Sequence, residues 1–383
     1  MKTSIEEPLL AWFRQTKRDL PWRRTYDPYH VWISEIMLQQ TQMDRGVEYF
    51  RRWIARFPDV TAVAEAEEQE ILKLWEGLGY YARARNLHRA AKVMKERHAG
   101  SIPCDYQTLR ALPGIGPYTA AAIASIACNQ NVPVIDANVA RIFARLFDLD
   151  EPNKGSHFRK KLEQHALDLL PEGKARIFNQ ALMDLGGLIC TPKNPSCEQC
   201  PLAHACLALL RGVVADRPVT GSRQKTIVIE MATGILAHAG RLFIQQRLAD
   251  DIWGGLWEFP GGRLEKGETP EQAVVREYEE ETGFAVKVCG HITTVIHHYT
   301  RYKVVLHCFA CGAEGDVNSP KCEAAQQNRW VLPTELAAYA FPAGHRKLLE
   351  HMRQYCPDRL VDPCCRSGSA CKNEDQSVSG SGN

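Results

Sequence analysis

The chain has 383 residues, of which 45% are hydrophobic and 24% charged, and this ordinary globular composition excludes a largely disordered protein. No apolar run could span a bilayer and residues 1–17 lack the regions of a signal peptide, so we predict a soluble, cytoplasmic protein, nucleoid-associated if bacterial. The net charge of +2 is uneven, with 31 Lys and Arg against 25 Asp and Glu in residues 1–225 and 16 against 20 in residues 226–383, which permits nucleic-acid binding by the first part.

The sequence pattern predicts two folded parts. Residues 1–210 show helical periodicity with short polar breaks and predict an all-helical domain, whereas the basic residues 211–225, which include Pro and Gly, predict an interdomain linker. Residues 226–355 alternate as strands around a helical stretch and predict an α/β domain. The polar residues 356–383 predict a disordered tail.

Two carboxylates are prominent in the helical part. Glu35 lies in an almost wholly apolar helical run, where burial would raise its pKa and make it a proton donor. Gly114 and Gly116 form a turn before an alanine-rich helix, and this turn could either offer backbone N–H groups to a phosphate or simply join two helices. Asp136 stands at the start of the next helix, where it is expected to be an N-cap and could also be catalytic.

Four cysteines follow, at positions 190, 197, 200 and 206, in the pattern C-x6-C-x2-C-x5-C. Thiolates at this spacing are soft ligands for zinc or for an iron–sulfur cluster. Structural zinc sites usually pair two C-x2-C units, so the single unit here favours a [4Fe-4S] cluster over zinc. In a chain without a secretory signal the 14 cysteines are expected to be reduced, which argues against a disulfide framework.

In this order, these features resemble the helix-hairpin-helix DNA glycosylases of the endonuclease III superfamily, and within it the MutY family of adenine DNA glycosylases, over residues 8–210. The resemblance implies that Glu35 protonates the target adenine and that Asp136 stabilises the oxocarbenium-like sugar as the N-glycosidic bond breaks. It also implies a monofunctional glycosylase, because strand-nicking relatives carry a Schiff-base lysine where this chain has Tyr118.

The same resemblance implies roles for further residues. Tyr118 and Asn138 would assist at the active site, and Gln40 and Tyr80 would wedge into the base stack where the adenine is flipped out. Ordinary helix packing is the alternative for both wedge residues. The remaining implied residues are Arg23 and Asp184 in the adenine pocket and Thr41, Gly114 and Gly116 as DNA contacts.

The α/β part carries the whole Nudix pattern, G-x5-E-x7-R-E-U-x-E-E-x-G-U, between Gly262 and Phe284. Glu277, Glu280 and Glu281 fall on one helix face, where their oxygens could bind Mg²⁺ that bridges a diphosphate. A solvated acidic face would not explain the glycines, the arginine and the hydrophobic residues of the same pattern.

This domain resembles both the 8-oxo-dGTP pyrophosphohydrolase MutT and the MutT-like domain with which adenine glycosylases read 8-oxoguanine. Its Nudix pattern is intact, so the sequence allows either hydrolysis of 8-oxo-dGTP or lesion reading. The family's Phe-Ser-His recognition loop corresponds to Tyr299, Thr300 and Arg301, which are therefore predicted DNA contacts. The asparagine that reads the base in the hydrolase is replaced near His345, and Glu323 is a guess for a late acidic base.

The resulting prediction is a monomeric, multidomain enzyme, with an all-α helix-hairpin-helix glycosylase and its [4Fe-4S] cluster loop at residues 190–206, followed by an α/β Nudix sandwich. Its predicted partners are double-stranded DNA with A:8-oxoguanine or A:G mispairs and, for the second domain, 8-oxo-dGTP with Mg²⁺. Two alternatives stay open: an endonuclease III-like glycosylase/lyase, and a Nudix diphosphatase whose helical half only binds DNA.

Overall fold

The computed structural model of the chain describes residues 2–153, 155–221, 225–299, 301–321, 324–361 and 364. By their contacts the residues form two compact units, one of Met1–Ala66 with Arg83–Arg223 and one of Glu67–Ala82 with Gln224–Asn383. None of the described helices is long and apolar enough to cross a membrane.

The first unit is helical, as predicted. Aspartates begin several helices because their side chains accept a backbone N–H of the first turn, as Asp27, Asp59 and Asp105 do. The α-helices of this unit are α1 (Lys2–Thr16), α2 (Trp22–Thr25), α3 (Pro28–Met37), α4 (Met43–Arg56), α5 (Val60–Glu65), α7 (Ala82–Arg97), α8 (Tyr106–Arg110), α9 (Pro117–Ala122), α10 (Ala137–Leu146), α11 (Ser156–Leu169), α12 (Ala175–Leu188) and α13 (Leu207–Leu210). A π-helix, Ile123–Ala127, follows α9 directly, and short 3₁₀-helices cover Cys197–Gln199, Ala203–Ala205 and Val214–Asp216.

Helices α1, α10, α11 and α12 share a hydrophobic core. Leu9, Phe143 and Phe178 are almost fully buried in it, and burial of such side chains contributes roughly 1.5–3 kcal/mol each. Cys190 and Cys206 pack against the edge of the same core. The cysteine loop is therefore attached to the helices that carry Asp136 and Asp184.

The second unit combines α6 (Glu68–Trp75) with a mixed sheet. Among the described residues the strands are β1 (Ile227–His238), β2 (Arg241–Arg247), β3 (Trp257–Glu258), β4 (Gly261–Arg263), β5 (Val286–Tyr299), β6 (Tyr302–Ala313) and β7 (Ala325–Val331). Their order is β3-β2-β1-β6-β5, with β4 paired to β1 and β7 paired to β2. Strands β1 and β6 run parallel, from Ile227 opposite Tyr302 to Ala237 opposite Gly312, and the other pairs are antiparallel.

Alternating side chains give this sheet two apolar faces. Ile235 and Ile244 pack with residues of α15 (Ala343–Tyr355) and α16 (Asp358–Val361), whereas Leu236 and Phe243 pack with α14 (Pro270–Thr282) on the other face. A capping box begins α14, and Gly283 ends it at φ 71°, a conformation that favours glycine. The predicted α/β sandwich is confirmed. A 3₁₀-helix at Glu335–Ala338 completes the unit.

Residues 67–82 depart from the predicted division, which assigned them to the helical domain. Gln69 Nε2 donates to the carbonyl of Gly255 at 2.9 Å, and Lys73 Nζ donates to that of Tyr339 at 2.9 Å. These hydrogen bonds join positions 186 and 266 residues apart. Helical periodicity reports only local structure, so it could not reveal this grouping.

The predicted linker at 211–225 is wrong for its first part. Arg211 and Arg217 both pair with Asp148, at 2.5 and 2.7 Å, and the N–H of Asn153 donates to the carbonyl of Val219 at 3.0 Å. The basic composition that indicated a linker instead satisfies an aspartate of the first unit. Gln224 and its neighbours at 222 and 223 lie outside the described residues.

The prediction of a disordered tail at 356–383 is wrong at its start, where Cys356 is buried and Leu360 of α16 is only 8% exposed. Apart from residue 364, positions beyond 361 lie outside the described residues.

The prediction of reduced cysteines is wrong for Cys356, which is disulfide-bonded, and for two pairs in which both cysteines are described. Cys104 is bonded to Cys128 and Cys289 to Cys364, with Cα atoms 5.8 and 5.3 Å apart. The fold brings together cysteines that are 24 and 75 residues apart, which spacing alone does not indicate. Cys190, Cys197, Cys200 and Cys206 are free thiols.

Candidate functional site

Glu35 of α3 is buried, as its apolar surroundings predict, with 5% of its surface exposed. The phenol of Tyr118, on α9, donates to Glu35 Oε2 at 2.5 Å. Burial raises the pKa of Glu35 to about 7, and the charge of Asp136 acts in the same direction, while the Tyr118 hydrogen bond and the charge of Arg23 oppose it. At neutral pH this carboxyl can hold a transferable proton, which an ordinary glutamate cannot.

Asp136 is both an N-cap and part of the same site. Its Oδ1 accepts the N–H of Val139 at 2.7 Å, and its Oδ2 accepts Asn138 Nδ2 at 2.8 Å. Burial raises the pKa of Asp136, and these two hydrogen bonds favour its charged form and limit the rise. Asp136 therefore has donors that support a carboxylate, whereas the environment of Glu35 supports the acid form.

Asn138 is held in place from two sides. Its Oδ1 accepts Arg141 Nη2 at 2.9 Å, and the same nitrogen donates to the carbonyl of Gly186 at 2.8 Å. A Cβ at Gly186 would collide with the Asn138 side chain, so the glycine allows α12 to approach α10 here. Sequence analysis missed both Arg141 and Gly186, although an arginine in the apolar face of α10 is a visible clue.

The fold brings Arg23 and Asp184 together, and each is the hydrogen-bond partner of the other. Arg23 donates from Nη1 to Asp184 Oδ2 at 2.7 Å and from Nη2 to Oδ1 at 2.9 Å. Arg18, which sequence analysis missed, donates to Oδ1 from Nε at 2.9 Å and also from Nη2. Burial alone would raise the pKa of Asp184, but the hydrogen bonds and charges of the two guanidiniums outweigh it and hold the pKa below its ordinary value.

The four free thiols line one cavity beside Arg145, Ile189 and Leu209. Buried Arg145 fixes the loop, because its Nη1 lies 3.3 Å from Cys190 Sγ and donates to the carbonyl of Thr191 at 2.8 Å. Nowhere in the described residues do three or more His, Cys, Asp or Glu side chains form a group that could hold a metal ion. Thiols that surround a cavity without converging on one point fit a polynuclear cluster better than a single zinc ion.

Two predicted DNA contacts have left-handed backbones. Gln40 has φ 59° and Tyr80 has φ 49°. Residues other than glycine rarely adopt this backbone conformation, which is enriched at functional positions. Gln40 is exposed beside half-buried Thr41. Arg83, three residues after Tyr80, donates to the carbonyls of Ile36 and Gln39 at 2.7 and 2.8 Å.

The predicted glycine turn leads into α9. Gly114 has φ 71°, and a Cβ there would collide with Asn86. Gly116 is the N-cap of α9, and among the described residues none outside its immediate chain neighbours comes within 4 Å of the position that its Cβ would occupy. The backbone at Gly116 is therefore open to a close ligand, as a phosphate contact requires.

In the second unit, Tyr80 belongs to a cluster of aromatic rings. Its ring centroid lies 5.3 Å from that of Tyr299, which lies 6.3 Å from Trp253 in an edge-on contact. Arg301 follows on the exposed turn, and Thr300 lies outside the described residues. Sequence analysis missed Trp253, because only the fold brings positions 80, 253 and 299 together.

The Nudix carboxylates Glu277 and Glu281 lie beside the start of β4 in the second unit. A Cβ at Gly262 would collide with the Glu277 carboxylate. Glu281 Oε2 accepts the N–H of Gly261 at 3.1 Å and Gln245 Nε2 at 2.9 Å. Burial raises the pKa of Glu281 to about 8, helped by the charges of Glu258 and Glu277.

Arg276 occupies the remaining carboxylates of the Nudix pattern. It donates to Glu268 at 2.8 Å, to Glu277 at 3.0 Å and to Glu280 at 3.0 Å. Glu280 itself is 59% exposed, so the three predicted ligands are not equivalent. Because Mg²⁺ usually combines one or two carboxylates with water and phosphate oxygens, the donor set of Glu277 and Glu281 fits this ion.

His345, near which the sequence predicts the replacement of the hydrolase's base-reading asparagine, is buried, with Nε2 3.3 Å from Thr233 Oγ1. Burial lowers its pKa to about 3, so the ring is neutral. Glu323, the guessed acidic base, lies outside the described residues.

Comparisons with known protein families agree with both halves of this geometry. Residues 33–166 match the HhH-GPD superfamily of base excision DNA repair proteins, and residues 190–206 match the iron-sulfur binding domain of endonuclease III. Residues 231–351 match the NUDIX domain.

Similar proteins extend over nearly the whole chain. An adenine DNA glycosylase of Rattus norvegicus is 30% identical, over 97% of this chain and 83% of its own length, and one of Homo sapiens is 31% identical, over 95% and 78%. Among solved structures, a thermostable thymine-DNA glycosylase aligns with 55% of this chain and 97% of its own, with 29% identity and a TM-score of 0.50.

Proposed function

Because the chain belongs to the adenine DNA glycosylase family, a family of base-excision repair enzymes that hydrolyse N-glycosidic bonds in DNA, we propose that it removes adenine paired with 8-oxoguanine or guanine. The observation that carries this proposal is the buried pair formed by Glu35 and Tyr118, with Asp136 close enough to act on it. One carboxyl is kept protonated and the other is supplied with donors that favour its charge.

In the proposed mechanism Glu35 transfers its proton to the flipped adenine, which makes the base a better leaving group. The bond between the base nitrogen and C1′ of the sugar then breaks, and the positive charge that develops on the sugar is stabilised by Asp136. Val139 and Asn138 hold the Asp136 carboxylate in position. Water completes the hydrolysis at C1′.

We propose that the enzyme does not nick the strand. A glycosylase/lyase needs an amine nucleophile, and this chain has the phenol of Tyr118 at that position. Burial and the neighbouring carboxylates raise the pKa of Tyr118 far above its ordinary value, so the hydroxyl stays protonated. It can support Glu35 by a hydrogen bond, but it cannot form a Schiff base.

The four cysteines would hold the [4Fe-4S] cluster, which supplies a rigid cross-link of thiolate–iron bonds and no open ligand position. Arg145 binds both the cysteine loop and the carbonyl of Val214, and Arg141 binds the carbonyl of Cys190. We propose that the cluster is structural and positions a basic loop with Lys193 against DNA, while the chemistry is done by Glu35 and Asp136.

For the second unit we propose recognition of 8-oxoguanine by the aromatic cluster of Tyr80, Trp253 and Tyr299. Aromatic rings with a nearby arginine are the usual platform for an unstacked base, and Arg301 follows directly on the same turn. The left-handed backbone of Tyr80 supports its proposed role as a wedge.

The test is adenine release from duplexes that place 8-oxoguanine, guanine or thymine opposite adenine. We expect Tyr299→Ala to lower adenine release opposite 8-oxoguanine by about tenfold at subsaturating enzyme, because stacking on one ring contributes roughly 1–3 kcal/mol. Tyr355→Ala, which removes another exposed tyrosine of the same unit, is the matched control. Unchanged release opposite 8-oxoguanine in Tyr299→Ala would refute stacking of the lesion on this cluster.

A second activity, Mg²⁺-dependent hydrolysis of 8-oxo-dGTP, is favoured by the space that Gly262 leaves for Glu277 and by the half-buried Glu281 beside it. We expect this activity to discriminate weakly between nucleotide bases, because His345 Nε2 already has Thr233 Oγ1 as its partner. We expect Glu281→Gln to abolish any hydrolysis and to leave adenine release intact.

The exposed Glu279→Gln is the matched control for this variant, since it lies on the same helix and changes the same charge. Hydrolysis that survives in Glu281→Gln would show that another site or a contaminant is responsible. Loss of adenine release in the same variant would show that the two activities are not independent.

A further inference from the structure

The surroundings of Asp184 indicate how charge is controlled next to the proposed acid. Arg18 and Arg23 direct four N–H groups at its carboxylate. Three of these N–H groups converge on Oδ1 and one reaches Oδ2, so both oxygens of the carboxylate are engaged. The Asp184 side chain is fully buried, so water does not compete for either oxygen.

The Arg23 guanidinium is also committed. Both of its Nη atoms donate to Asp184, and the group lies 5.8 Å from the centroid of the Phe13 ring. A side chain held in this way keeps a fixed position relative to α3. Asp184 therefore determines both where the charge of Arg23 stands and how much of it remains uncompensated.

We propose that Asp184 is a positioning residue that holds Arg23 and offsets its positive charge beside the proposed acid, leaving the Arg18, Arg23 and Asp184 group with a net charge of +1. This inference rests on the proposed role of Glu35 as the proton donor. It assigns Asp184 to charge control rather than to recognition of the adenine edge.

The groups that act on Glu35 lie on α9, before α10 and on α2. Tyr118 of α9 donates to it, Asp136 before α10 repels its ionised form, and Arg23 of α2 attracts its ionised form. The π-helix contributes no charged residue, and the charged side chains of α4 are exposed. A second uncompensated positive charge would therefore act directly on the proton of Glu35.

Opposite changes of charge should move the pH profile of adenine release in opposite directions. The midpoint of the profile is the pH at which the rate of adenine release has fallen to half. Arg23→Gln removes the positive charge, so this midpoint should rise by about one pH unit, within the range for a single nearby charge. Asp184→Asn removes the compensating negative charge, so the same midpoint should fall by about one pH unit. Single-turnover release measured across the pH range gives both values.

Asp184→Asn leaves two buried guanidiniums without a counter-charge and could fail to fold. Arg18→Gln provides a second test, because Arg18 is 27% exposed and its loss keeps the pair of Arg23 and Asp184. It should raise the midpoint by less than Arg23→Gln does. Thermal melting identifies any variant that is not folded.

Folded arginine variants that release adenine slowly with an unmoved midpoint would overturn the inference, since a purely structural role lowers the rate without changing the pH dependence. The failure of the proposed function is distinct: it is shown by full adenine release in Glu35→Gln, whatever the midpoints do. Release lost in Glu35→Gln together with unmoved midpoints would reject only the role of Asp184.

Discussion

Adenine release should fall by about 10²- to 10⁴-fold when Glu35 is replaced by glutamine, the range that a positioned general acid contributes. Glutamine has nearly the same shape and its oxygen can still accept the Tyr118 hydroxyl, which donates to Glu35 at 2.5 Å. The substitution therefore removes the transferable proton and leaves the packing of α3 in place. Binding of an A:8-oxoguanine duplex should change little.

The pH dependence gives an independent check on the same residue. With a pKa of about 7 in place of the ordinary 4.5, about half of the enzyme holds the Glu35 proton at neutral pH. The acid form is the active one, so release should decline as pH rises through about 7, by about tenfold for each further unit. In the Glu35→Gln variant, this decline of the release rate with rising pH should be absent.

Single-turnover assays with excess enzyme measure these rates without a contribution from product release. Glu48→Gln is the matched control, because this glutamate lies on the neighbouring α4 with its side chain 68% exposed. It should release adenine at the unmodified rate. Equal release by Glu35→Gln and the unmodified enzyme would leave the acid unidentified and would remove the basis of the proposed mechanism.

The burial of Glu35 and the capping role of Asp136 could be predicted from the sequence because each follows from its local context. A lone carboxyl in an apolar helix must be buried, and an aspartate at a helix start has a known partner, the N–H three residues later. The cysteine loop and the Nudix helix were equally accessible, because their ligands and hydrophobic residues lie within one short segment. These features are local in sequence.

The partners of these residues could not be found in this way. Asp184 meets Arg18 and Arg23 across 166 and 161 residues, and no pattern around Asp184 distinguishes a salt-bridged aspartate from one that reads a base. Tyr80 lies next to Tyr299 only because residues 67–82 pack with the sheet unit. Such contacts depend on tertiary packing, which periodicity and spacing in the sequence do not report.

Asp136→Asn should slow adenine release by about 10²- to 10³-fold, the loss seen when one group that stabilises transition-state charge is removed. The substitution separates the two roles of this residue. Asparagine is as good an N-cap as aspartate. It can still accept the N–H of Val139, which lies 2.7 Å from Asp136 Oδ1 in the unmodified chain, so α10 should begin at the same residue. What is lost is the negative charge that faces the developing oxocarbenium ion, together with the acceptor for Asn138 Nδ2.

The melting temperature of Asp136→Asn should therefore stay close to that of the unmodified enzyme while the rate falls. Asp105→Asn, which changes the exposed N-cap of α8 in the same way, should alter neither quantity. If Asp136 were only a cap, Asp136→Asn would release adenine at the full rate, and Asp136→Ala would lower stability without a separate loss of chemistry. A slow but stable Asp136→Asn enzyme, whose affinity for duplex is retained, is the result that assigns the charge of Asp136 to the reaction.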